Sequence, residues 1–329
     1  MNSTQKLEAP QGRDGSADLL RAALVVYVVG YLHLGGYIGT GELHVHWSTV
    51  ALTNVVLGTF TFLSGYILAN WAGPVNAQAV MGFYRRRFLR IYPLYLLALV
   101  GFVLVWLTNA TSAVKAALGV SMFLPPAPMT LWYVAMIVVC YALAPLLVMP
   151  SVKRAAINGA VAWFLMLVYG LAIVEMDYRI LTQFAAFTGG VMCRRLNWRD
   201  HWRNRPLALA GAFVAAFAAA VMSLQHPMLA AVVAVPNDVA GPLLLLVLAD
   251  RSRPPSQPPG FLVQSLAYIS FSAYLFHRIF FEILKRSIWP ADPWMQLAAL
   301  LCLGLPTIWI GSWLIQWCYD RLLAIGGVR

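Results

Sequence analysis

The feature that most constrains this chain is its succession of long, uninterrupted apolar runs. A helix needs about 20 such residues to cross the hydrocarbon of a bilayer. Ten runs are read as spans, at roughly 19–39, 48–70, 89–108, 129–149, 155–174, 179–193, 206–224, 228–249, 262–284 and 296–319. Backbone polar groups in lipid need internal partners, so only helices or a closed barrel can span. A barrel would show short alternating segments, whereas these runs are continuous. The expected fold is therefore all-α, a polytopic transmembrane helical bundle of about ten spans. Composition agrees: 61% of the chain is hydrophobic and 11% charged, against about 25% charged in soluble domains. The segment 112–124 is apolar but short and stops at Pro125-Pro126, which suits an interfacial or re-entrant piece.

The charges between the runs test this count. With the N-terminus cytoplasmic, 18 of the 23 Lys and Arg fall on inside segments, among them Arg21, Arg85, Arg86, Arg87 and Arg90. Lys115, Arg179, Lys285 and Arg286 fall outside, and Arg278 lies within the ninth run. Positive charge stays inside through all ten spans, which predicts both termini cytoplasmic. Residues 18–324 then form one transmembrane domain between short tails, 1–17 and 325–329. The first 17 residues are polar, so no removable signal peptide is expected. The net charge of +11 is spread between apolar spans and is no nucleic-acid signal. The four cysteines have neither disulfide nor metal spacing. No phosphate loop, no Gly-x-Ser-x-Gly elbow and no Cys-x-x-Cys occurs.

Several groups of polar residues stand out. Arg86, Arg87 and Arg90 fall on one side of a helix, where residues three and four apart are neighbours. Beside a membrane helix they anchor topology; their guanidinium forks also match phosphate oxygens. His33 and His277 reach similar depth in the outer half of their spans, His33 being ~18 Å of helix beyond Arg21. A neutral imidazole there suits a general base, and equally suits a histidine satisfied by backbone carbonyls. Arg278 and Glu282, four apart, are expected to pair. Asp238 follows Pro236 and reads as a helix cap or as a binding carboxylate. Trp132 and Tyr133 read as interfacial aromatics or a stacking surface for a sugar. Glu42, His44 and His46 make a weak metal pattern, and a solvated loop is the preferred reading; no metal is expected.

Taken in order, several segments resemble the acyltransferase-3 family of integral-membrane acyltransferases. They are Asp18-Leu19-Leu20-Arg21 followed by His33; Phe62-Leu63-Ser64-Gly65; Arg87-Phe88-Leu89-Arg90 with Pro93 and Tyr95; Trp132-Tyr133 through Pro145-Leu146; Phe187-Thr188-Gly189-Gly190; and Ser270-Phe271-Ser272-Ala273-Tyr274-Leu275-Phe276-His277. The resemblance implies a membrane-bound O-acyltransferase of the cell (inner or plasma) membrane. It would move an acyl group, usually acetyl, from cytoplasmic acetyl-CoA or another acyl-CoA to a hydroxyl. Acceptors would be sugars, glycolipids or small molecules of the cell envelope. His33 and Arg21 become the catalytic candidates, and Arg86, Arg87 and Arg90 the donor-binding ones. His277, Trp132, Ser64 and Asp238 are the candidates for substrate binding. One residue more separates Arg21 from His33 than in the family's pattern, and a helix turns about 100° per residue. Either a local bulge restores the geometry, or Arg21 plays another part. The competing readings are a transporter or flippase, which would favour internal inverted repeats, and a non-catalytic accessory subunit. The sequence leaves acceptor, acyl length and oligomeric state open.

Overall fold

The computed structural model describes residues 14–38, 47–70, 76–172, 176–223, 225–252 and 259–326. Helix is the only regular structure among them: α1 (Gly15–Tyr27) running into a π-helical turn (Val28–His33), α2 (Trp47–Leu68), α3 (Ala77–Leu104), α4 (Ala110–Ala117), α5 (Trp132–Val148), α6 (Val152–Ala172) and α7 (Arg179–Arg195). There follow α8 (Trp198–Arg203), α9 (Pro206–Met222), α10 (Pro227–Val233), α11 (Val235–Arg251), α12 (Phe261–Ser287) and α13 (Pro293–Ala299), then a second π-helical turn (Leu300–Gly304) and α14 (Leu305–Ile325). Among the described residues, every apolar run expected to span falls mostly on helix. Five rods are long and apolar enough to cross a membrane by length and composition: Gly15–His33, Thr49–Leu68, Ala77–Leu104, Val152–Ala172 and Pro293–Ile325.

Two boundaries differ from expectation. The helix of the third run starts at Ala77, well ahead of the apolar residues, so the arginines lie on α3 in its first half. Asn76 sets this start, its Oδ1 accepting the Ala79 amide at 2.8 Å, and arginine is itself a good helix former. The eighth run is divided at Ala234 into α10 and α11. The short apolar segment after α3 forms α4, capped by Asn109 onto the Ser112 amide at 2.8 Å. The Tyr95 hydroxyl donates to the Ala116 carbonyl at 3.2 Å and holds α4 against α3.

The closest helix pair is α2 with α7. A Cβ on Gly65 would lie 2.1 Å from the Phe187 carbonyl oxygen, and one on Gly190 would lie 2.0 Å from that of Phe62. The two backbones touch, which small residues permit and lipid-embedded helices favour. Two of the short motifs are therefore the two halves of one contact. Thr61 Oγ1 sits 2.7 Å from Gln183 Oε1 and 3.0 Å from the Tyr133 hydroxyl, tying α2, α7 and α5 together.

Buried side chains form two clusters. The larger joins α2, α3, α5, α7 and α11 and includes Phe62, Tyr95, Phe184 and Phe187. The smaller lies between α1, α12 and α14 and comprises Val25, Val29, Leu34, Ile269, Ala273, Phe281, Leu300 and Ile308. At the start of α1, Asp14 accepts from the Ser16 and Ala17 amides at 3.1 and 3.2 Å. Its other oxygen pairs with Arg199 at 2.6 Å. Arg199 also pairs with Asp250 and reaches the Tyr66 hydroxyl at 3.1 Å. One guanidinium thus fastens α8 to the starts of α1 and the ends of α2 and α11. Burial pushes the Asp14 carboxyl up, but the hydrogen bond and charge of Arg199, with the two amides, outweigh it and hold it below the usual carboxylate range.

Candidate active site

His33 closes the π turn of α1, and His277 sits midway along α12. Their rings stack, with centroids 4.7 Å apart and planes 13° apart. A π turn bonds residue i to i+5 instead of i+4, so it absorbs one extra residue. The longer spacing between Arg21 and His33 is thereby taken up inside Val28–His33, the local bulge that would restore the geometry.

His277 is fully buried. Its Nδ1 lies 2.8 Å from the Tyr274 carbonyl oxygen and 3.1 Å from that of Ala273. Carbonyl oxygens only accept, so Nδ1 carries a proton, and in the neutral imidazole Nε2 keeps its lone pair. That Nε2 is enclosed and meets no partner. His33 is partly buried, with its Nδ1 likewise enclosed and unpartnered. The Phe281 ring edge meets His277 at 6.2 Å, and Tyr274 lies tilted against it at 6.1 Å. Tyr274 donates its hydroxyl to the Thr130 carbonyl at 2.5 Å and packs edgewise on Tyr133 at 5.3 Å. The site is an unpartnered base inside a wall of rings. A hydroxyl entering it would find one acceptor atom with nothing else to bond.

Arg278, beside His277, does not take Glu282 as its ion partner. Glu282 pairs with Arg286 at 3.2 Å. In a helix an acid placed before its base at i,i+4 is the better order, and Arg286 also donates to the Val105 carbonyl at 2.6 Å. Arg278 instead approaches Met129 Sδ at 3.5 Å.

The arginines occupy the other end of α1. Arg85, Arg86 and Arg90 are exposed on α3, while Arg87 is half-buried. The Arg87 guanidinium lies 5.8 Å from the Tyr141 ring centre and 5.9 Å from that of Phe83. The charges of Arg90, Arg86 and Arg21 all act on it. Arg21, which contacts Asp18 at 3.4 Å, therefore belongs with these arginines, ~18 Å of helix away from His33.

The remaining candidates are dispersed. Ser64 lies in the last turn of α2, near Tyr66 and the arginine end, its Oγ donating to the Phe60 carbonyl at 3.0 Å. Asp238 is wholly buried in the first turn of α11. The helix begins ahead of Pro236, so Asp238 caps nothing. It accepts from Asn237 Nδ2 at 3.4 Å and faces Gly58 of α2, with its second oxygen unpartnered. Trp132 opens α5 and is buried, with the Arg179 guanidinium 3.9 Å over its ring. Arg179 in turn pairs with Asp177 at 2.5 Å. A cavity of about 310 Å³ opens there, lined by Asn54, Asp177, Arg179, Thr182 and Asn237 among others. Glu42, His44 and His46 lie outside the described residues. Among the described residues no three His, Cys, Asp or Glu gather as a metal would require.

Reading the sequence missed Tyr274, Arg179 and Phe281. Tyr274 precedes His277 by three and shares its helix face, which was the available signal. Arg179 looked like one loop charge, and nothing local pointed to Trp132. No curated protein and no solved structure matches the chain. A model of the acyltransferase 3 family, described as an acyltransferase domain, matches residues 14–315, nearly its whole length. The six ordered motifs, the apolar helices and this match converge: the chain belongs to the acyltransferase 3 family and is a multi-pass membrane acyltransferase.

Proposed function

We propose that the protein is an acyl-CoA-dependent O-acyltransferase of the cell (inner or plasma) membrane, with about ten spans and both termini cytoplasmic. The observation that carries this reading is the stacked His33–His277 pair, whose Nδ1 and Nε2 respectively meet no partner, at the opposite end of α1 from four arginines. Arg86, Arg87, Arg90 and Arg21 hold the phosphates of the donor, acetyl-CoA or another acyl-CoA, because guanidinium groups bond phosphate oxygens strongly. The pantetheine arm runs along the bundle toward His33, over a distance of ~18 Å of helix. The acceptor is a hydroxyl of a sugar, glycolipid or small molecule arriving from the opposite side, where the Asn54–Asn237 cavity offers hydrogen-bonding room.

His277 Nε2 accepts a hydrogen bond from a second hydroxyl of the acceptor and so orients the reacting one. His33 takes the proton as the oxygen attacks the thioester carbon. The new C–O bond replaces the C–S bond, and the proton passes to the departing thiolate, which leaves as coenzyme A. Two imidazolium charges 4.7 Å apart would repel, so the pair carries one extra proton at a time, as a relay requires. The test uses purified full-length chain in lipid nanodiscs with labelled acetyl-CoA and extracted envelope acceptors. Transfer should fall at least about 100-fold in His33→Ala. Undiminished transfer by folded His33→Ala would sink the assignment.

A further inference from the structure

Two π-helical turns are described, Val28–His33 and Leu300–Gly304, and they come together around one stretch of α12. Leu305 Cδ1, next to the second turn, lies 4.0 Å from the Cβ position of Gly30 in the first. Val29, Leu300 and Phe281 share the smaller buried cluster. Such turns have poorer hydrogen bonding than an α-helix and recur at functional sites. The first turn ends on His33. The second ends on Gly304, and a Cβ there would lie 3.1 Å from Phe281 Cε1, 3.4 Å from Cδ1 and 3.5 Å from Leu284 Cδ2. Gly304 therefore leaves Phe281 the space it occupies. Phe281 is fully buried and lies edge-on to His277, with ring centres 6.2 Å apart and planes at 84°. It also packs on Tyr37, with ring centres 5.2 Å apart and planes at 54°. A single ring thus separates the π turn ahead of α14 from the imidazole pair.

We propose that Phe281, seated against Gly304 by that π turn, is a positioning residue holding the His277 ring parallel to His33. The hydrogen bonds at Nδ1 fix the tautomer and one edge of the imidazole. With His33 stacked on one face, the perpendicular contact with Phe281 limits the remaining swing of the ring about that edge. The catalytic consequence rests on the acyl-transfer reading; the geometric claim does not. An added methyl at Gly304 would push the Phe281 ring toward His277 by a few tenths of an ångström. A leucine at 281 would remove the flat edge while keeping the site apolar.

The test compares the full-length chain in lipid nanodiscs with Gly304→Ala, Phe281→Leu and the double variant. Ring-nitrogen NMR of ¹⁵N-histidine-labelled protein reports the His277 tautomer and its exchange, while acetyl transfer reports turnover. Each single variant should shift or broaden the His277 ring signals. Each should lower kcat about tenfold with KM for acetyl-CoA unchanged, and the double variant should be no worse than Phe281→Leu. Unchanged ring signals in folded Phe281→Leu would overturn the proposal, as would strictly additive losses. If Gly304→Ala does not fold, Phe281→Leu alone decides. Shifted signals without acetyl transfer by any protein, wild type included, would refute the acyl-transfer reading and leave the positioning intact. Transfer by wild type with unchanged ring signals in the variants would do the reverse.

Discussion

The two ends of α1 are built on opposite principles. Around Arg21 the site is charged and open: three of the four arginines of α3 are exposed, and the half-buried Arg87 lies among like charges. Around His33 the site is closed by rings, and His33 Nδ1 and His277 Nε2 meet no partner. On the proposed acyl-transfer reading, the difference matches the ligands each end would take. Coenzyme A carries phosphates that bring their own charge and solvation, so surface guanidinium groups suffice. A hydroxyl is activated only where its proton meets an otherwise unsatisfied base away from water.

The comparison can be broken in several ways. The largest effect is expected where both ends depend on one contact. Gly190→Ala drives a methyl into the Phe62 carbonyl and should cost about 3 kcal/mol or more, seen as loss of monodisperse protein on size exclusion. Normal yield and melting would mean that α2 and α7 part easily. Next comes the register between the ends. Inserting one alanine after Ala22 should rotate His33 by about 100° and reduce transfer about 100-fold. Deleting Gly30 from within the π turn should cost far less, because the turn can revert to α-helix with its flanks still aligned. Equal losses from the two changes would refute the compensating role of the bulge.

Smaller effects separate the charged end from the neutral one. Arg87→Ala should raise KM for acetyl-CoA about tenfold or more, the weight of one charge-assisted hydrogen bond, with kcat little changed. An unchanged KM in steady-state assays would return Arg87 to a purely topological part. The smallest effect concerns Asp14. Its carboxyl is held below the usual range in the folded chain, so the stability it contributes is present above the ordinary value of 3.8 and is lost as pH falls through its lowered value. Wild type should therefore lose melting temperature faster than Asp14→Asn below about pH 4. Parallel curves for the two proteins would show that the Arg199 clasp contributes nothing through Asp14.

Much of the molecule was legible in the sequence, and the reason differs by feature. Hydropathy and run length are local properties, so an all-helical membrane protein could be read from them. The six motifs in order were enough to identify the family, because each sits on a separate apolar run. The arginine cluster was legible because its residues are neighbours in the chain. The histidines were legible as a pair at similar depth, since depth follows from counting residues along a helix. Their mutual orientation was not, because it depends on how two helices are rotated. Asp238 and Ser64 show the same limit from the other side. Asp238 faces Gly58 and Ser64 donates to the Phe60 carbonyl, contacts that counting residues along a helix does not reveal.

By itself, then, the sequence determined the class of fold, the family, and which residue types stand at which depth along each helix. Only the tertiary structure decided that His33 stacks on His277 and that His277 Nε2 is left without a partner. The physical reason is angular. One residue turns a helix by about 100°, so a single π turn moves a side chain from one neighbour to another while the hydropathy of the run stays the same.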